Sequence, residues 1–147
     1  MATKAKAAKN TLVQLGDGGG PEVFTTIAEV LSFTGPSEEA AEINVTSQDS
    51  TAQEYISSGL PDSPDMNLEV NFVGSSAQQQ ALAAAVSAGT THNFKYILND
   101  HATTKTTYTF AAIVKAFQGP SFSTGEAYKA TIVLRRTGST TKSYAPA

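Results

Sequence analysis

The sequence predicts a mainly β protein, a β-sandwich or small barrel with one flanking α-helix, and three observations carry that prediction. Short segments with period-2 alternation recur along the chain, Leu68-Glu69-Val70-Asn71-Phe72 being the cleanest, and that period puts successive side chains on opposite faces of a sheet. A single stretch, residues 75–89, carries both a start and a stop for a helix. Turn residues divide the strand-like segments at short intervals, so the strands are expected to run mainly antiparallel. At 147 residues the chain makes one domain, and folding at that size removes roughly 70% of the unfolded surface from water.

Residues 1–10 are small and basic without an apolar period, and are expected to form a flexible N-terminal arm. The domain proper is assigned to residues 11–138. It opens with a short strand from Thr11 to Leu15, stopped by Gly18-Gly19-Gly20-Pro21. Residues 22–34 are strand-like through their Val, Phe, Thr and Ile content, and Gly35-Pro36 closes them. Ile43 and Val45 begin another strand, after which residues 46–66 turn polar while holding Tyr55, Ile56 and Leu60 among Ser, Gly, Pro and Asp. That segment is neither a clean strand nor a clean linker, and the expectation is that another subunit completes it.

Leu68, Val70 and Phe72 share one strand face, with Glu69 and Asn71 on the other. The helix then spans about residues 76–88: Ser76 caps it, Gln79 reaches back as the third residue of a capping box, and Gly89 stands where a left-handed cap belongs. Leu82, Ala85, Val86 and Gly89 form its packing stripe, with Gln79, Gln80 and Ala83 pointing elsewhere. Three strands follow, His92 to Asn99, Thr106 to Gly119 and Ala127 to Gly138. In the last two, alternation groups Tyr108, Phe110, Ala112 and Val114 on one face, and Tyr128, Ala130, Ile132 and Leu134 on one face. The opposite faces still carry Ile113, Phe117 and Val133, as a sheet lying between a core and a partner would. Residues 139–147 lack pattern and are expected to be a mobile tail unless a partner holds them.

Charged residues make up 16% of the chain, below the typical figure of about 25%, so small uncharged polar groups cover much of the surface. Net charge is −3, but residues 10–94 hold eleven acids and no Lys or Arg, while all ten bases lie outside that span. Either folding interleaves the two signs within one molecule, or complementary patches meet between identical subunits. The opening residues lack the apolar stretch of a secretory signal, and no run approaches the roughly 20 apolar residues of a membrane helix. A cytosol-like compartment and no membrane partner are therefore expected.

Catalysis needs converging ionisable groups, and the sequence offers few. It has no cysteine, and its two histidines, His92 and His101, are nine positions apart without the register of a helical zinc site. Asp62, Asp65 and Asn67 miss the spacing of an EF-hand loop and suit a turn better. The glycine run lacks the Gly-Lys-Ser/Thr of a phosphate loop. For nucleic acid the only candidates are Lys4, Lys6 and Lys9 in the arm and the pair Arg135-Arg136, too few charges for a dedicated binder. No enzyme activity, metal or cofactor is expected.

Taken in order, residues 42–50 (Glu-Ile-Asn-Val-Thr-Ser-Gln-Asp-Ser), residues 54–62 (Glu-Tyr-Ile-Ser-Ser-Gly-Leu-Pro-Asp), the strand at 68–74, the helix and the closing strand that ends in Arg136-Thr137-Gly138 resemble the major tail tube proteins of long-tailed phages with non-contractile tails. The resemblance covers roughly residues 10–138. It implies a fold related to the tube proteins of contractile tails and of type VI secretion systems, assembled as hexameric rings that stack into a tube through which the genome passes. It also implies a place in the virion tail after assembly in the host cytoplasm, with a tape measure, a tail terminator and a distal tail or baseplate protein as partners. The segment 46–66 and the arm 1–10 would bridge subunits and rings. Carried onto this chain, the interface residues are Lys4, Lys6, Lys9, Asp49, Tyr55, Ile56 and Leu60. A DNA conduit should not hold its cargo by lysine–phosphate contacts, and Glu42, Asn44, Thr46, Glu69 and Asn71 are the expected lining. The alternative is a soluble β-sandwich binding module for a carbohydrate or surface ligand, for which Tyr55, Tyr108 and Tyr128 are the available aromatics.

Overall fold

The structure, a computed structural model, describes residues 6–146. Its elements are β1 (Leu12–Gly16), β2 (Phe24–Thr26), β3 (Val30–Phe33), β4 (Glu39–Asn44), β5 (Tyr55–Asp62), β6 (Met66–Asn71), α1 (Ala77–Ala88), β7 (Thr91–Ile97), β8 (Thr107–Ser121) and β9 (Lys129–Ser143). Seven strands form one sheet in the order β2-β1-β7-β8-β9-β6-β3, and β4 and β5 form a separate two-stranded ribbon. Every pairing is antiparallel, and the mainly β fold with one flanking helix is as the sequence predicts.

Residues 22–34, one strand-like run in the sequence, become two strands at opposite edges of the sheet. Only Ile27, Ala28 and Glu29 separate them, and a chain that short spans at most about 3.6 Å per residue. The sheet must therefore curl until its two edges nearly meet. The linking residues continue both edges: the Ile27 amide donates to the Val13 carbonyl at 2.9 Å, and the Glu29 carbonyl accepts from the Asn71 amide at 3.0 Å. Glu29 takes a positive φ of 52° to make the turn.

The curled sheet encloses the core. Met66, Leu68 and Val70 of β6 pair with Leu134, Ile132 and Ala130 of β9, and all six are buried. Phe94 stacks on its partner Phe110 with ring centroids 5.7 Å apart, and Ile27 from the turn is also buried. Each fully buried large apolar side chain contributes about 1.5–3 kcal/mol. Helix α1 packs against β8 through Leu82 and Ala85.

Several expectations change once the chain is folded. Ser76 and Gly89 cap α1 as predicted, the Ser76 side chain accepting from the Gln79 amide and Gly89 taking a φ of 68°. Gln79 forms no capping box, however: its side chain turns inward and is buried among backbone groups. Val86, placed on the packing stripe, is exposed. Phe117 packs on the core because the register shifts between Val114 and Ala116, which moves residue 117 onto the face of residue 114. Tyr128 is exposed and meets the exposed Phe122 edge-on. The tail is not loose either. Residues 139–143 continue β9, with Thr141, Lys142 and Ser143 pairing Thr109, Tyr108 and Thr107.

Candidate interaction surface

Residues 39–62 form a ribbon that pairs with no strand of the large sheet. The sequence expectation of an irregular loop over 46–66 is corrected here: residues 55–62 are strand β5, and the tip comprises residues 45–54. Local hydrogen bonds order that tip. The Thr46 hydroxyl accepts from the Glu54 amide at 2.8 Å, Val45 donates to the Glu54 carbonyl at 2.9 Å, and Ser50 donates to a Glu54 carboxylate oxygen at 2.7 Å. Asp49 sits in this tip, exposed.

The ribbon has no core of its own, yet it carries large apolar side chains. Ile43 and Ile56 are directly paired and stand 47% and 53% exposed, so they share one face. Val45 and Tyr55 are also exposed, Tyr55, which pairs with Asn44, standing on the opposite face from Ile56, and Leu60 is 78% exposed. The position of Leu60 has a local cause. Between the pairs Glu42↔Ser57 and Ala40↔Pro61, β4 supplies Ala41 alone while β5 supplies Ser58, Gly59 and Leu60. Gly59 takes a φ of 72° there, a conformation glycine adopts without steric cost, and the bulge leaves Leu60 outside the ladder.

Charge pairs hold the ribbon at its base. Arg135 meets Asp62 at 2.6 Å and Asp65 at 3.8 Å, while Lys115 meets Asp65 at 2.7 Å. On the other leg Glu38 meets Lys142 at 2.7 Å and Arg136 at 3.6 Å. The hydrogen bond from Lys142, with the charges of Lys142 and Arg136, holds the Glu38 carboxyl below its usual range, and the same bond raises the Lys142 ammonium. The lopsided charge of the sequence is thus at least partly cancelled within one molecule, acids of the first half meeting bases of the second.

Other residues singled out in the sequence fall elsewhere. Lys6 and Lys9 are exposed; the Lys9 carbonyl accepts from the Asn99 amide side chain at 3.0 Å, drawing residues 6–10 towards the β7–β8 turn. Lys4 lies outside the described residues. Glu42, Asn44 and Thr46 sit on the ribbon and its tip, whereas Glu69 and Asn71 sit on β6 of the large sheet, so one copy does not bring these five together. Glu69 pairs with Ser32 and Thr131, and Thr131 pairs with Gln118, so Glu69 stands in a polar row across four strands, accepting from the Ser32 hydroxyl at 2.9 Å. His92 and His101 lie apart, His101 accepting from the Thr103 and Thr104 amides within its turn. Among the described residues no cluster of three His, Cys, Asp or Glu side chains is arranged to hold a metal ion.

No protein family matches the sequence, and no curated protein is recognisably similar to it. Solved structures do share its shape. A chain from the tail of an empty GTA particle, refined helically with C6 symmetry, superposes with a TM-score of 0.74 over 95% of this chain and 99% of its own, at 18% identity. A chain of the PVC sheath/tube terminator of an extracellular contractile injection system gives 0.75 over 97% and 99%, at 14% identity. A chain of the SPP1 tail tube gives 0.70 over 92% and 77%, again at 14% identity. The fold is therefore of the tail-tube type.

Proposed function

We propose that the chain is a non-enzymatic structural protein of a phage-like tail, a major tail tube protein of the non-contractile kind, whose copies close into hexameric rings that stack into a tube for DNA ejection. One observation carries the reading: Ile43, Val45, Tyr55, Ile56 and Leu60 stand exposed on a ribbon outside the core, in a chain whose fold is shared with components of tails. A second copy of the chain covers those side chains, at a gain of about 25 cal/mol per Å² of apolar area removed from water. The ribbon's exposed acids, Asp49 among them, face the arm lysines Lys4, Lys6 and Lys9 of a neighbour. Glu42, Asn44, Thr46, Glu69 and Asn71 line the lumen, where acidic and uncharged groups let DNA pass unbound. The tape measure, the tail terminator and the distal tail or baseplate proteins are its partners in the virion, assembly takes place in the host cytoplasm, and no cofactor is involved.

The test is assembly of purified protein at raised concentration, followed by sedimentation velocity and negative-stain microscopy. Wild type is expected to form rings or tubes. The double substitution Ile56→Asp with Leu60→Asp should stay monomeric while its unfolding free energy changes by no more than about 0.5 kcal/mol per site, as for exposed positions generally. Wild-type protein that remains monomeric under all conditions overturns the reading. The exposed aromatic pair Phe122 and Tyr128 then favours the second reading, a carbohydrate-binding module, to be sought by glycan binding.

A further inference from the structure

We propose that Arg136 is a positioning residue that sets the direction in which the β4–β5 ribbon projects, and with it the competence of the chain to assemble. The assembly half of this rests on the function proposed above; the directional half does not. Alternation along β9 places Arg136 on the core side, after Ala130, Ile132 and Leu134, and it is only 5% exposed. Its guanidinium touches both legs of the ribbon. Nη2 donates to the Pro61 carbonyl of β5 at 3.3 Å, and Nη1 lies 3.6 Å from Glu38, the residue that precedes β4. Nη1 also donates to the Thr140 hydroxyl at 2.9 Å, which ties the group back to its own strand.

Burying a cation is costly unless it is paired, and a buried ion pair is often no more stable than an apolar side chain of similar volume. Stability alone gives little reason for an arginine here. Direction does: a planar, forked donor constrains the angle of the groups it bonds, and the ribbon has no pairing with the sheet that would otherwise fix its angle. The outer pairs of Arg135, Lys115 and Lys142 are at least one-third exposed or close to it and are individually worth little.

The chain has no cysteine, so nitroxide labels at Gln48→Cys in the ribbon tip and Ala84→Cys on α1 report the ribbon's direction by pulsed electron–electron distance measurement. Arg136→Met is expected to keep a cooperative thermal transition near that of wild type, yet to broaden the distance distribution. Should the ribbon then occupy the docking direction a tenth of the time, the concentration needed for assembly rises about tenfold. Arg136→Lys, which keeps the charge and loses the fork, should broaden it too. If Arg136→Met does not fold, the exposed Glu38→Gln decides, with a smaller broadening expected. An unchanged distribution in the variant that folds overturns the proposal, whether or not the protein assembles. Broadening in a wild-type chain background that never assembles would uphold the directional role and overturn the function proposed above instead.

Discussion

Gln79 shows how a side chain legible by type is misplaced by rule. Three residues after Ser76 it fits a capping box, but its amide is a donor and an acceptor at once, and the fold presents it with three backbone groups. It accepts from the Val73 amide at 2.9 Å and donates to the Asn71 and Ala28 carbonyls at 3.0 and 3.3 Å. That joins α1 to the end of β6 and to the turn between β2 and β3. Those groups belong to two segments, residues 71–73 and the turn at Ala28, fifty-one positions from Gln79, so no local pattern announces the set. Gln79→Leu keeps the volume and removes every bond, leaving buried polar groups unmatched; the expected loss is about 2–3 kcal/mol in urea denaturation, against a near-neutral change at its exposed neighbour Gln80→Leu. Arg136 was more legible. Extending the Ala130, Ile132, Leu134 alternation by one step lands on it, whereas its adjacency to Arg135 made the two a candidate nucleic-acid contact.

Elements were legible where they end in distinctive residues. Ser76 and Gly89 bound the helix because a hydroxyl and a left-handed glycine each satisfy backbone groups the helix leaves open, and both do so here. The ribbon was half legible: its exposed apolar side chains were evident from Tyr55, Ile56 and Leu60, but its second strand was hidden by Ser, Gly and Pro, residues that favour turns when judged singly. The end of β9 was missed since Ser and Thr carry little hydrophobic alternation, and what holds it is its pairing with Thr107, Tyr108 and Thr109 at the start of β8. The same region has a pH dependence. Asp100 accepts from the Thr106 hydroxyl at 2.5 Å and from the Thr106 amide at 3.0 Å, and that hydroxyl accepts from the Ala145 amide at 2.9 Å. These Thr106 bonds, the side-chain one foremost, lower the Asp100 carboxyl from its ordinary 3.8. A carboxyl lowered on folding contributes stability above its unfolded value and loses it as pH falls through the folded one. Asp100→Asn should therefore cost melting temperature at pH 7 and little at pH 2, a flattening visible in thermal melts across that range.

At the scale of the whole molecule, the curl of the sheet was not legible, because it follows from the sequence distance between two edge strands rather than from either strand. The core was largely so: Leu68, Val70, Phe110, Ala112, Val114, Ala130, Ile132 and Leu134 were all on predicted faces and all are buried. The sign segregation of the sequence resolved in part into ion pairs at the ribbon base, which leaves the row around Glu69 as a sheet surface in which an acid stands among Ser32, Thr131 and Gln118. If copies close around that row, Glu69 is the charge that DNA passes, and reversing it changes the sign of the encounter in every copy at once. Each lysine–phosphate contact releases a condensed counterion, so affinity gained this way falls steeply with salt. Tubes assembled from Glu69→Lys should consequently retain duplex DNA in co-sedimentation at about 50 mM salt and release it as salt is raised to about 200 mM, while wild-type tubes retain none. Equal DNA retention by both tubes would mean that Glu69 faces no surface open to DNA in the assembly, and the same assay on Glu42→Lys would then show whether the ribbon supplies the lining instead.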